Sequence, residues 1–113
     1  MVTQTDRLAL CAAADVTEDE PVRREAGSNV YAIFKVSGEY FVIDDRCSHG
    51  PGSLSEGYVE GCEIECPFHQ GRFDIRTGCA VSAPCTEPVR TWPVRIIDGM
   101  VTVDPCEERL CEN

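Results

Sequence analysis

Two stretches of the chain alternate apolar and polar residues with the two-residue period of half-buried strands. Residues 29–36 and 40–43 flank the short turn Ser37-Gly38-Glu39, and residues 89–97 and 100–103 flank Asp98-Gly99. Both stretches predict β-hairpins, because a short glycine-bearing turn joins two strand-like runs. Either set of alternating residues in 29–36 can form the buried face, and Pro93 predicts an edge position or a bulge.

The rest of the chain adds one further strand and no helix of amphipathic length. Residues 7–11 predict the strand, and the polar, acidic residues 15–21 predict a loop, with at most a short turn over 16–25. We therefore predict an all-β fold in one domain that spans residues 1–113. Its basal β part covers about 5–44 and 86–104, a loop-rich insert covers about 45–85, and 105–113 form a frayed polar tail that Cys106 and Leu110 could anchor.

Composition narrows the class of protein. The 113 residues are 42% hydrophobic, which is too high for a disordered acidic tail, and the net charge is −10. Such an acidic chain is not expected to bind nucleic acid or an anionic membrane. Apolar runs are too short to span a membrane, and no signal peptide is visible, so we expect a cytoplasmic protein.

The eight cysteines form no C-x-x-C pair, which argues against a zinc ribbon, a thioredoxin-type redox pair and a plant-type ferredoxin loop. In the cytosol thiols stay reduced, so we expect metal ligands and ordinary buried thiols in place of a disulfide framework. Buried or half-buried thiols are predicted at Cys11, Cys62, Cys79 and Cys85, whereas Cys106 and Cys111 lie in the tail and would cross-link only adventitiously.

Both histidines lie in the insert, and each follows a cysteine closely. The two motifs are Cys47-Ser48-His49 and Cys66-Pro67-Phe68-His69, with sixteen residues between His49 and Cys66. Glycines follow both motifs and would let the backbone fold closely around an inorganic core. Two cysteines and two histidines suit either tetrahedral Zn²⁺ or a [2Fe–2S] centre with two histidine ligands.

These motifs resemble those of Rieske iron–sulfur domains. The segments 47–50 and 61–74 carry the resemblance, which continues through Thr77-Gly78, Ala83-Pro84 and Pro93-Val94 and so covers residues 29–104. Within that family the chain is similar to the small ferredoxins of aromatic-ring-hydroxylating dioxygenases, those of naphthalene dioxygenase in particular.

The resemblance implies stacked antiparallel sheets with a loop-rich subdomain that holds one Rieske-type [2Fe–2S] cluster at its tip. It implies Cys47 and Cys66 as ligands of the inner iron, His49 and His69 as ligands of the outer iron, and a covering loop around Pro84. Because both histidines are then ligands, no nucleophile–base pair and no two-histidine-one-carboxylate site can be assembled, and we expect no catalytic residues. The implied function is one-electron transfer, as a monomer, from an NADH-dependent flavoprotein reductase to a Rieske non-haem-iron oxygenase in aromatic compound degradation, with transient contact to both partners.

Two positions predict a low reduction potential. Respiratory Rieske proteins place a serine and a tyrosine after the second histidine, and their hydroxyls donate to a cluster sulfur and a ligand thiolate. Gly71 and Phe73 stand there in this chain. With fewer donors to stabilise the reduced cluster, we expect a potential of roughly −150 mV, the low end of the Rieske range.

Two alternatives stay open from the sequence: a small Rieske-like subunit of NADH nitrite reductase, and a zinc-stabilised interaction module. The acidic residues around the motifs are expected to form either a solvated face or a docking surface. They are Asp44, Asp45, Glu56, Glu60, Glu63 and Glu65.

Overall fold

The computed structural model describes residues 7–18, 20–46, 52–67, 71–82 and 87–111. Within these ranges the chain forms twelve strands and three single-turn 3₁₀ helices, and no α-helix, which confirms the predicted all-β class. The 3₁₀ turns span Ala13–Asp15, Leu54–Glu56 and Pro105–Glu107. The strands are β1 (Leu8–Ala12), β2 (Val22–Ala26), β3 (Asn29–Val36), β4 (Glu39–Asp44), β5 (Tyr58–Glu60), β6 (Glu63–Glu65), β7 (Arg72–Asp74), β8 (Ala80–Ser82), β9 (Arg90–Trp92), β10 (Arg95–Ile97), β11 (Met100–Val103) and β12 (Arg109–Leu110).

The strands form three antiparallel sheets, and the five-stranded one is the middle layer. Its strand order is β12-β9-β4-β3-β2, between a three-stranded sheet (β1-β11-β10) and a four-stranded sheet (β5-β6-β7-β8). Tyr31 and Ile33 of β3 belong to the core shared with the three-stranded sheet, whereas Ala32 and Phe34 belong to the core shared with the four-stranded sheet. Both alternating sets of β3 are therefore buried, which is why its pattern did not single out one face.

The first predicted hairpin is confirmed. Strands β3 and β4 pair in register from Tyr31↔Asp44 to Val36↔Glu39. The turn consists of Ser37 and Gly38, with φ of 52° and 82°. A two-residue turn with two positive φ angles matches the right-handed twist of the strands that it joins.

The second predicted hairpin is divided between two sheets. β9 pairs with β4, opposing Trp92 to Val42, whereas β10 pairs with β11 around the tight turn at Asp98-Gly99. Pro93 lies between the two strands and lacks the N–H that would continue the ladder of β9. It marks the point where the chain passes from one sheet to the next, not a bulge inside one long strand.

The sequence missed several strands. β2 forms where at most a short turn was expected, and the insert contains the whole four-stranded sheet β5 to β8. Each strand of that sheet has three residues, which is too short for an alternating pattern to stand out.

The prediction of a frayed tail was wrong. β12 pairs with β9 through Arg109↔Thr91 and Leu110↔Arg90. Cys111 forms a disulfide with Cys79, and the Cα atoms of the two residues are 5.2 Å apart. Cys79 is therefore not the free thiol that we expected, and the tail is held by β pairing and this cross-link.

The other described cysteines form no disulfide. Cys11 is buried at 4% exposure, and burial raises the pKa of its thiol. Cys62 is half-buried, as predicted, and Cys106 is exposed, whereas Cys85 lies outside the described residues. Among the described segments, no helix is long and apolar enough to cross a membrane.

Candidate metal centre

Three connections leave the four-stranded sheet at the same end. Tyr58 at the start of β5 pairs with Glu65 at the end of β6, and Arg72 at the start of β7 pairs with both Glu65 and Ser82 at the end of β8. Three segments therefore meet at one edge of the sheet, the edge formed by these strand ends. They are the chain before β5, the chain between β6 and β7, and the chain after β8. These connections carry the first Cys-x-His motif, the second Cys-x2-His motif and the segment around Pro84.

The second connection begins at Cys66, whose side chain is fully buried. The Cys66 N–H donates to the carbonyl oxygen of Gly71 at 2.8 Å, which closes the loop that carries Phe68 and His69. Cys66 lies in the same apolar core as Ile64 and Phe73, the neighbouring residues of β6 and β7. Its thiol is thus shielded from water at the base of a tight loop.

The first connection is closed by Asp45 and Ser53. An antiparallel bridge pairs Arg46 with Ser53, and the Leu54 N–H donates to the Asp45 carbonyl oxygen at 2.6 Å. The Asp45 carboxylate accepts hydrogen bonds from the Ser53 hydroxyl and, at 2.8 Å, from the Ser55 N–H. Both ends of the loop that carries Cys47 are therefore fixed by one residue.

The two loops are packed against each other through their flanking residues. Leu54, which follows the first loop, is fully buried in the same core as Cys66. A Cβ on Gly57 would overlap the carbonyl oxygen of Glu65, so the chain after the first loop lies directly on the end of β6. This close approach requires glycine and holds the two predicted ligand segments side by side.

A half-buried ion pair joins Asp44, which precedes the first connection, to Arg90, which follows the third. The Arg90 guanidinium makes a bidentate contact with the Asp44 carboxylate, at 3.0 Å from Nε to Oδ2 and 2.8 Å from an Nη to Oδ1. The Arg90 N–H also donates to Oδ2 at 2.9 Å. Hydrogen bonding to Asp44, the largest cause, raises the pKa of Arg90.

The acidic residues of β5 and β6 surround one arginine. The Arg72 guanidinium lies 2.8 Å from Glu60, 3.4 Å from Glu63 and 3.2 Å from Glu65. Attraction to Glu60 is the largest cause of a raised pKa at Arg72. These carboxylates form an ion-paired outer face of the sheet, with Glu60 the most exposed of them at 72%.

Of the four predicted ligands, the structure places Cys66. Cys47, His49 and His69 lie outside the described residues, although the chain enters and leaves their segments at the same edge of the sheet. The surroundings fit an iron–sulfur centre, because a buried sulfur donor at a closed loop suits a cluster whose thiolate ligands are shielded.

Sequence reasoning gave the wrong role to Asp44 and Asp45. We expected a solvated face or a docking surface, but Asp45 is 3% exposed and the Asp44 side chain is 16% exposed. Both carboxylates bind groups inside the fold. The serines on either side of Leu54 were the one available sign of local donors, because serine hydroxyls and N–H groups often satisfy a nearby carboxylate.

Comparisons with known proteins support an iron–sulfur centre in this chain. Residues 6–93 match the Rieske [2Fe-2S] domain family. The anthranilate 1,2-dioxygenase ferredoxin subunit of Burkholderia cepacia is 54% identical over 95 residues, which cover 84% of this chain and 88% of the relative. The ferredoxin of Sphingomonas yanoikuyae B1 is 46% identical, with a TM-score of 0.85 over 88% of this chain and 98% of that one. The ferredoxin in a complex of reduced oxygenase and oxidized ferredoxin of carbazole 1,9a-dioxygenase is 37% identical, with a TM-score of 0.85 over 96% of this chain and 100% of that one.

The fold, the buried cysteine and these relatives define an iron–sulfur electron carrier. The chain belongs to the Rieske [2Fe-2S] domain family, and its cofactor is a Rieske-type [2Fe–2S] cluster. It is a ferredoxin of the kind that serves aromatic dioxygenases, and it is an electron-carrying component, not a catalytic one. The resemblance inferred from the sequence is thereby confirmed.

Proposed function

We propose that Cys47, His49, Cys66 and His69 ligate the [2Fe–2S] cluster. The observation that carries the proposal is the burial of Cys66 at the base of a closed loop that lies against the residues following the first loop. When bound, the cluster supplies one-electron chemistry. The chain keeps the sulfur ligand of Cys66 away from water. The neutral imidazoles of His49 and His69 are proposed to bind the outer iron, where the electron leaves.

We propose further that this ferredoxin carries single electrons from an NADH-dependent flavoprotein reductase to an aromatic-ring-hydroxylating oxygenase. Relatives named as ferredoxin components of anthranilate and p-cumate dioxygenase systems support this role. A similar ferredoxin forms a complex with the oxygenase of carbazole 1,9a-dioxygenase, which supports direct contact with the terminal oxygenase. Both contacts are proposed to be transient and to involve a monomer of this chain in the cytoplasm.

Two cysteines at opposite ends of β6 provide a matched test of the ligand assignment. Cys66 follows β6 at the edge where the loops meet, whereas Cys62 precedes it at the other end. We expect Cys66→Ser and His69→Ala to abolish the visible absorption and the Rieske-type EPR spectrum of the reduced protein. Cys62→Ser should keep both. If His69→Ala kept the spectrum, the ligand assignment would be wrong.

Reconstitution tests the function. NADH, the reductase and the oxygenase should turn over the aromatic substrate only when the wild-type ferredoxin is added. The Cys62→Ser protein should support turnover, and the Cys66→Ser protein should not. Co-purification of the chain with a large sirohaem protein would contradict the proposal and favour a nitrite reductase subunit, and a colourless zinc protein would favour the interaction module.

A further inference from the structure

Among the described residues that flank the first loop, Asp45 has the most deeply buried charged side chain. It is 3% exposed, lies directly after β4, and precedes the proposed ligand Cys47 by two positions. A carboxylate in such a place is stable only when its oxygens are hydrogen-bonded or paired. Its partners therefore show what the residue holds in place.

The Asp45 contacts join segments on both sides of the loop. Oδ1 accepts from the Ser55 N–H at 2.8 Å, and Oδ2 accepts from the Ser53 hydroxyl. The backbone of the same residue donates to the Val30 carbonyl oxygen at 2.9 Å and accepts from the Leu54 N–H at 2.6 Å. One residue before the loop thus binds three consecutive residues after it and anchors them to β3.

Arg23 completes the set of contacts. Its Nε lies 3.2 Å from Asp45 Oδ2, and Arg23 belongs to β2 at the edge of the middle sheet. A second carboxylate, Glu25, lies 2.7 Å from an Nη of Arg23, and hydrogen bonding to Glu25 is the largest cause of a raised pKa at Arg23. The loop closure is therefore connected through a permanently charged side chain to the rigid sheet.

We propose that Asp45 is a positioning residue that clamps the first ligand loop shut and so retains the cluster in the protein. The inference rests on the proposed assignment of Cys47 and His49 as ligands. Since the loop bearing these two ligands has its ends fixed by Asp45, loosening the clamp allows the ligand pair to move away from the metal and speeds release of iron. We expect the fold to survive loss of the clamp, because the strand pairs of the middle sheet do not include Asp45.

The test compares Asp45→Ala with Asp45→Asn and with a matched control, Asp104→Ala. Asp104 also accepts a hydrogen bond from a backbone N–H, that of Cys106 at 2.9 Å, but it caps the 3₁₀ turn in the tail. Two quantities are measured on the cluster-loaded proteins. They are the rate of iron transfer to a bathophenanthroline chelator and the amide hydrogen exchange of residues 46–55.

We expect Asp45→Ala to release iron about tenfold faster or more, because three hydrogen bonds to a buried carboxylate, from Ser53, Ser55 and Arg23, are lost. Faster hydrogen exchange should be confined to residues 46–55. Asp45→Asn keeps one acceptor oxygen and should be intermediate, at about threefold, while Asp104→Ala stays within about twofold of the wild type. A merely structural role would instead raise exchange throughout the molecule and would not be rescued by asparagine.

Equal rates of iron release from Asp45→Ala and Asp104→Ala would overturn the inference. If Asp45→Ala does not accumulate as a folded protein, Ser53→Ala removes the hydroxyl donor alone and should still raise the rate of iron release. Failure of the ligand assignment is recognised separately, since His49→Ala would then keep the Rieske-type EPR spectrum whatever the behaviour of the Asp45 variants.

Discussion

Single residues around the metal centre have roles that depend on partners far away in the chain. Asp44 and Asp45 are adjacent and chemically identical, yet Asp44 binds Arg90 from β9 and Asp45 binds Ser53 and Ser55. The two ligand motifs are local in sequence, so the ligand residues could be predicted from the sequence. The pairing of Asp44 with Arg90 could not, because it is set by how β4 and β9 meet in three dimensions, whereas Ser53 and Ser55 lie close to Asp45 in sequence.

Phe73 allows a prediction about the reduction potential. It is fully buried in the core that contains Cys66, at a position where the family resemblance implies a hydroxyl donor in respiratory proteins. We expect Phe73→Tyr to raise the midpoint potential by an amount on the order of tens of millivolts, because a new donor to a ligand thiolate stabilises the reduced cluster. A spectroelectrochemical titration measures the change.

The control for that variant is Phe41→Tyr. Phe41 is only partly buried and packs against the same core from β4, so its added hydroxyl should leave the potential unchanged. An equal shift in the two variants, or a potential of Phe73→Tyr below that of the wild type, would contradict the assigned role of position 73.

At the scale of elements, prediction succeeded where a strand was long and its turn distinctive. The bounds of β3 came out as expected because eight alternating residues precede a two-residue turn. The strands β5 to β8 are three residues long and are stabilised by neighbours in the sheet, so nothing in their local sequence identifies them. Pairing of β12 with β9 was missed for the same reason, since it involves only two residues.

The link between β12 and the four-stranded sheet leads to a prediction about stability. The Cys79–Cys111 disulfide spans 32 residues of sequence and joins the tail to the chain before β8. We expect Cys111→Ser to lower the free energy of unfolding of the oxidised protein by about 3 kcal/mol, because closing a loop of this length restricts the unfolded chain. Urea unfolding of the wild type and the variant measures the difference.

Cys106→Ser is the matched control for the disulfide, because Cys106 is an exposed free thiol in the same tail. It should leave stability within about 0.5 kcal/mol of the wild type. A reductant should bring the wild type to the stability of Cys111→Ser, because it breaks the same cross-link. If the reductant changes neither protein, the cross-link does not form in solution.

The molecule as a whole combines a rigid layered body with a large excess of negative charge. The middle sheet has both faces buried, and the loops that carry the proposed ligands all meet at one edge of an outer sheet. The ion pairs of Asp44, Asp45 and Arg72 join residues of the same chain, so they leave the net charge of −10 unchanged. That charge is available to attract a partner with a basic docking surface.

This charge predicts how electron delivery depends on salt. We expect the second-order rate constant for oxidation of the reduced ferredoxin by its oxygenase to fall about tenfold between about 0.01 M and 0.1 M ionic strength, because screening shortens the range of attraction from about 30 Å to about 10 Å. Stopped-flow absorption measures the rate constant. Sodium chloride and sodium sulfate at equal ionic strength should give equal rates, since screening does not depend on the identity of the anion. A rate constant that stays constant or rises with salt would mean that the partner does not present a basic surface to this ferredoxin.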